Sequence, residues 1–142
     1  MTEQEYIEKR NIVCKEIARC SFEAYNYYKS GMDELVYEAG LMVELQMNHK
    51  TVARQQEFPI YYKDIASEVK RKMDLVVYDE QLGHIVLELK AIDRIGEQQR
   101  YQLWSYMKLM NMHLGMLINF SPKGVYYECY ELMKETGMCE RF

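Results

Sequence analysis

The stretch Lys72-Met-Asp-Leu-Val-Val-Tyr-Asp-Glu-Gln-Leu-Gly-His-Ile-Val-Leu-Glu-Leu-Lys-Ala91 has the layout of a β-hairpin, with charges where a buried sheet should have none. Side chains alternate with period two, so Asp74, Val76 and Tyr78 share one face of a first strand and Val86, Glu88 and Lys90 one face of a second. The polar loop Asp79-Glu-Gln-Leu-Gly83 joins them. Burying a lone carboxylate costs several kcal/mol, so Asp74, Glu88 and Lys90 need either mutual pairing or a cation. Glu88 and Lys90, two positions apart on one face, lie within about 7 Å of each other. A hard cation such as Mg²⁺ between Asp74 and Glu88 would find a further oxygen ligand in the backbone carbonyl of Leu89. Lys90 would then reach the attacking water or a phosphate and steady the charge gathering there. A structural ion pair from Lys90 to Glu88 or Asp74 satisfies the same residues, and the triad alone does not separate the two readings.

Upstream of the hairpin, apolar residues recur at helical spacing over residues 3–28, and Ser30-Gly31 punctuates that run. A second helix is expected over residues 32–48, where Leu35, Val36, Ala39, Met42 and Val43 form a stripe. Glu44 follows Tyr37 by seven residues, about 20° round the helix, which lines the two up along one side. From Thr51 the alternation suggests a strand, broken at Pro59, with Lys63-Asp64 as a turn. Downstream, Gly96 precedes a helix over residues 97–110, on which Gln98, Gln102 and Tyr106 stack at intervals of four. Met116 to Phe120 and Val125 to Tyr130 read as strands, and the tail as at most a helical turn. The order of helices and strands predicts an α/β or α+β fold with a mixed sheet flanked by helices.

A chain of 142 residues is the size of one domain, so 1–142 is expected to fold as a unit, with an N-terminal helix over 1–30 and a core over 31–131. Hydrophobic content of 49% and charged content of 28% sit in the globular range and exclude a disordered chain. No apolar run is long enough to span a bilayer, and the first residues lack the pattern of a secretory signal, which predicts a cytoplasmic protein with no membrane partner. The four cysteines, at 14, 20, 129 and 139, lack zinc-knuckle spacing and are expected as reduced thiols. A net charge of −4 argues mildly against nucleic-acid binding, but acids that hold a divalent ion also recruit phosphate through it. Lys63, Lys70, Arg71, Lys72, Arg94 and Arg100 flank the acidic strands as candidate phosphate contacts.

The ordered set Gly31-Met-Asp-Glu34-Leu-Val-Tyr37, Glu44, Phe58-Pro-Ile-Tyr-Tyr62, Lys72-Met-Asp74, Glu88-Leu-Lys90, Gln102-Leu-Trp-Ser-Tyr106 and Gly115 to Phe120 resembles the GxxExxY proteins of the PD-(D/E)XK nuclease superfamily. Gly31, Glu34 and Tyr37 match the residues that name the family, and Met73 stands before Asp74 where the superfamily name has proline. The resemblance implies a restriction-endonuclease-like α/β core and a nuclease that hydrolyses nucleic-acid phosphodiester bonds, DNA foremost, by metal-activated water with Mg²⁺ or Mn²⁺. It assigns Asp74, Glu88, Lys90 and Gln102 to catalysis, and Asp74, Glu88, the Leu89 carbonyl and Glu44 to the metal. Tyr106, Lys72, Arg94 and Gln98 would contact substrate, and a homodimer would enlarge the binding surface. The competing expectation is a binding module, for nucleic acid or protein, that keeps the fold without catalysis.

Overall fold

A computed structural model describes residues Met1–Phe142. Three helices, α1 (Glu3–Tyr28), α2 (Glu34–Met47) and α3 (Glu97–Leu109), accompany six strands. These are β1 (Thr51–Tyr62), β2 (Ile65–Asp79), β3 (Gly83–Lys90), β4 (Leu114–Ser121), β5 (Gly124–Leu132) and β6 (Cys139–Arg141). They form one mixed sheet in sequence order. Only β3 and β4 run parallel, because α3 carries the chain back between them; every other neighbour pair is antiparallel. None of the helices is long and apolar enough to cross a membrane.

Helices cover both faces. On one, Val13, Ile17, Tyr37, Leu41 and Leu45 of α1 and α2 pack on Leu75, Val77, Leu87, Ile118 and Phe120 of the sheet. On the other, Leu103 and Met107 of α3 pack on Met73, Val76, Val86 and Leu117. A β-carbon on Gly115 would come within 2.6 Å of the Met107 sulfur and 3.1 Å of Leu103, so the missing side chain lets α3 lie close to the parallel strands. Helix α1 starts on a capping box in which Thr2 and Glu5 satisfy each other's backbone N–H. Asp33 caps α2 by accepting from the Val36 N–H.

Three sequence expectations need correction. The tail is a turn followed by strand β6 rather than a helical turn. Strand β1 runs through Pro59 to Tyr62, and the missing proline N–H is absorbed as a register shift between Pro59 and Tyr61. Finally, the alternation that would group Asp74 with Val76 and Tyr78 breaks. Leu75 and Val77 face α1 and α2, yet Met73 joins Val76 on the α3 side. Strand β1 changes face as well, since Val52 packs with the first cluster and Phe58 with the second.

Candidate active site

The β2–β3 ladder runs from Asp79↔Gly83 to Leu75↔Leu87 and stops there. Beyond that point β2 pairs only with β1, and Glu88, Leu89 and Lys90 pair only with Leu117, Ile118 and Asn119 of β4. Asp74 sits where the strands part, and its carboxylate accepts the Leu89 N–H at 2.8 Å in place of a ladder partner. Glu88 is buried, 5% exposed, and Lys90 reaches back to it at 3.5 Å. The Lys90 ammonium also donates to Gln102 Oε1 at 2.9 Å, and the Gln102 amide donates to the Tyr106 hydroxyl at 3.1 Å. An ammonium has no lone pair, so the orientation of the Gln102 amide follows from its partner. The α3 interval of four residues thus builds a relay from Tyr106 through Gln102 to Lys90.

Helix α2 closes the site with its first turn. Gly31 has φ +96° in the turn that leads into it, a conformation that glycine adopts without strain. Tyr37 is fully buried and stacks between Tyr25, at 5.8 Å, and Phe120, at 4.6 Å. Its hydroxyl accepts the Met32 N–H at 3.3 Å and donates to the Lys29 carbonyl. Gly31 and Tyr37 therefore fix the α1–α2 turn, and that turn presents Glu34. One helical turn on, Glu38 is fully buried, paired with Arg54 and accepting from the Gln55 amide at 2.8 Å.

Electrostatics tie these acids together. Burial first, and the charge of Asp74 second, push Glu88 up to about 8 against the pull of Lys90. Burial followed by the Asp74 charge raises Glu34, and burial with the Glu38 charge raises Asp74, although the Leu89 N–H opposes it. Counted as ionised, Glu34, Glu38, Asp74 and Glu88 outnumber the nearby cations Arg54 and Lys90 by two, and Glu88, raised to about 8, relieves part of that excess by holding its proton. Carboxylate oxygens are the donors that hard divalent cations take, although no three of these acids lie together as a ready-made metal cluster.

The remaining sequence candidates lie further out. Glu44 faces α1, where burial and the Glu44 charge together raise the Cys20 thiol. Its seven-residue offset from Tyr37 explains this, since Tyr37 points into the core between α1 and the sheet and Glu44 follows that side. The acids that face Asp74 are instead Glu34 and Glu38. Lys72 is exposed on β2 opposite Glu57, Gln98 is exposed on the first turn of α3, and Arg94 lines an open cavity with Asn119 and Tyr126; neither Lys72 nor Arg94 has an ion-pair partner. Arg100 is not free for phosphate, because it donates to both Glu128 oxygens, at 2.8 and 2.7 Å.

Three residues near the site escape a reading of the sequence. Glu38 left a signal, an acid one helical turn after Glu34. Asn119, buried, donates to the Ile92 carbonyl at 2.9 Å and accepts its N–H at 3.0 Å, holding the chain as it leaves β3. Gln55 left none. It has φ +51° inside β1, directly opposite Asp74, whereas Lys29, His49, Lys63 and Asn111, the other non-glycine residues at positive φ, all lie outside helices and strands. Such a backbone costs of order 1–3 kcal/mol.

A sequence model of the PD-(D/E)XK nuclease superfamily matches residues 11–129, most of the chain. Among solved structures, the crystal structure of SSO0001 is similar with a TM-score of 0.52 at 20% identity, over 66% of this chain. The match covers 48% of SSO0001, so this chain spans less than half of that one, and at such identity the likeness concerns the fold alone. No protein of curated function matches the sequence.

Proposed function

The chain belongs to the PD-(D/E)XK nuclease superfamily, and from that premise we propose that it is a metal-dependent nuclease of the GxxExxY type, hydrolysing phosphodiester bonds of nucleic acid, DNA foremost. The observation that carries the reading is Lys90, held between Glu88 and Gln102 beside the point where β2 and β3 part around Asp74. Asp74 and Glu88 would hold Mg²⁺ or Mn²⁺, with Glu34 rather than Glu44 as the acid from α2. A strand residue turns its N–H and C=O to the same edge, so the Leu89 carbonyl faces the gap that its N–H shares with Asp74. When bound, the ion would supply charge stabilisation at the phosphoryl group and lower the pKa of water.

The protein's own groups do the rest. Of the three Lys90 donors, one goes to Gln102 and one lies against Glu88, which leaves one for a non-bridging phosphoryl oxygen as charge builds there. Gln102 fixes the direction of that donor, and Tyr106 fixes Gln102. Lys72, Arg94 and Gln98, all exposed, would contact the backbone of the nucleic acid. Incubation with single-stranded, duplex and nicked DNA, and with RNA, in Mn²⁺ tests the reading. Cleavage that Lys90→Ala lowers by about 10² to 10³ with the fold intact supports it, and no cleavage of any of these substrates would leave a non-catalytic binding module.

A further inference from the structure

Both strands of the β1–β2 ribbon change face at one place, the Gln55/Asp74 position. Leu75 and Val77 contact α1 and α2 while Met73 contacts α3, and on the partner strand Val52 and Phe58 lie on opposite sides although six residues separate them. Regular alternation would put residues an even number apart on one side. The left-handed conformation of Gln55 makes the turn-over on β1. A non-glycine residue keeps such a backbone only where its surroundings over-determine it.

Those surroundings are the two acids. The Gln55 amide donates to Glu38, whose other oxygen takes Arg54, and Gln55 stands across the β1–β2 ladder from Asp74, whose ionised carboxylate its amide favours. Asp74 in turn receives the Leu89 N–H. Glu38, Gln55, Asp74 and Leu89 thus link α2, β1, β2 and β3 in series, the outer two steps by hydrogen bonds and the middle one as a cross-strand pair. An amide with two N–H groups suits a place between two carboxylates: beyond the one given to Glu38 it has a second to offer, and unlike a lysine it adds no charge that would compete with a cation.

We propose that Gln55 is a positioning residue that acts through Asp74, its turned-over backbone and Glu38-anchored amide together setting where the Asp74 carboxylate points at the place where β2 and β3 part. This rests on the reading of Asp74 and Glu88 as divalent-cation ligands. Neutral groups that orient ligand carboxylates from outside are worth 10- to 100-fold in metal affinity. Asparagine adopts positive φ more readily than most residues but is one methylene too short to span both acids.

The test is Mn²⁺ titration of the full chain, followed by calorimetry, alongside thermal unfolding of the metal-free protein, for wild type, Gln55→Asn, Gln55→Gly and Asp74→Asn. Both Gln55 variants are expected to weaken Mn²⁺ binding by ten-fold or more, with Asp74→Asn weaker still. Glycine accepts the backbone at no cost, so loss in Gln55→Gly assigns the effect to the amide even where Gln55→Asn folds poorly. Unchanged Mn²⁺ affinity in both, whatever the thermal midpoint does, overturns the role of Gln55 while the Asp74 control still supports the metal site. Wild type and Asp74→Asn binding Mn²⁺ equally would overturn the metal site itself, and the inference with it.

Discussion

Replacing Glu128 by glutamine should unhinge the helix that carries Gln102, and its cost follows from the contacts of this one carboxylate. Glu128 is buried on β5 and accepts from Arg100 at 2.8 and 2.7 Å, from Tyr130 at 2.6 Å and from Tyr126, with Arg141 at 3.6 Å. Burial alone would raise its pKa, but the hydrogen bonds from Arg100, Tyr126 and Tyr130 outweigh it and bring it down from 4.5 to about 2. That difference corresponds to about 3 kcal/mol at pH 7. A carboxylate whose folded pKa is depressed contributes fully above its unfolded pKa and loses the contribution as pH falls through the folded one. The window therefore runs from about pH 4.5 down to about 2. Urea unfolding of wild type and Glu128→Gln at a series of pH values is the assay. At a slope of about 2 kcal/mol per molar the variant's midpoint should drop by roughly 1.5 M at neutral pH, and the gap should close as pH approaches 2. Equal midpoints at neutral pH, or a gap that acid leaves untouched, would refute the reasoning. Arg100 stands two residues before Gln102 on α3, so Lys90 should lose its fixed partner as well.

Three further outcomes are expected. The metal-free protein should become less stable as pH rises from about 4.5 to about 8, because Glu88, raised to about 8, keeps its proton in the folded state well above the pH at which the unfolded chain releases it; Glu88→Gln should flatten that slope in thermal melts and abolish cleavage. Tyr37→Phe should cost about 0.5 to 1.5 kcal/mol in chemical unfolding, since it removes the hydroxyl that joins the Met32 N–H to the Lys29 carbonyl. Gly115→Ala should cost about 1 to 3 kcal/mol through overpacking against Met107 and Leu103, and should lower kcat more than KM, because α3 moves away from Lys90.

What the sequence made legible is what local periodicity carries. The hairpin, the shared face of Glu88 and Lys90, and the stacking of Gln102 under Tyr106 all follow from rules that span two or four residues. The helical phase of α2 was harder. Seven residues bring Glu44 into line with Tyr37, but that line faces α1, and only the stacking of Tyr37 on Tyr25 reveals it. Arg100 reads as a free cation until β5 brings Glu128 against it from 28 residues away. The turn-over at Gln55 is illegible for a deeper reason, since a positive φ inside a strand breaks the very alternation by which strands are read.

Nuclease action of the kind proposed requires Asp74 and Glu88 to share a divalent cation where β2 and β3 part. Anomalous scattering from a crystal soaked in millimolar Mn²⁺ tests this most directly. It should give a peak bridging the two carboxylates at oxygen-ligand distance, about 2.0 to 2.2 Å, with the Leu89 carbonyl beside it and none of it in Glu88→Gln. A Mn²⁺-soaked crystal with no peak between Asp74 and Glu88, or with the peak unmoved in the variant, would contradict the account.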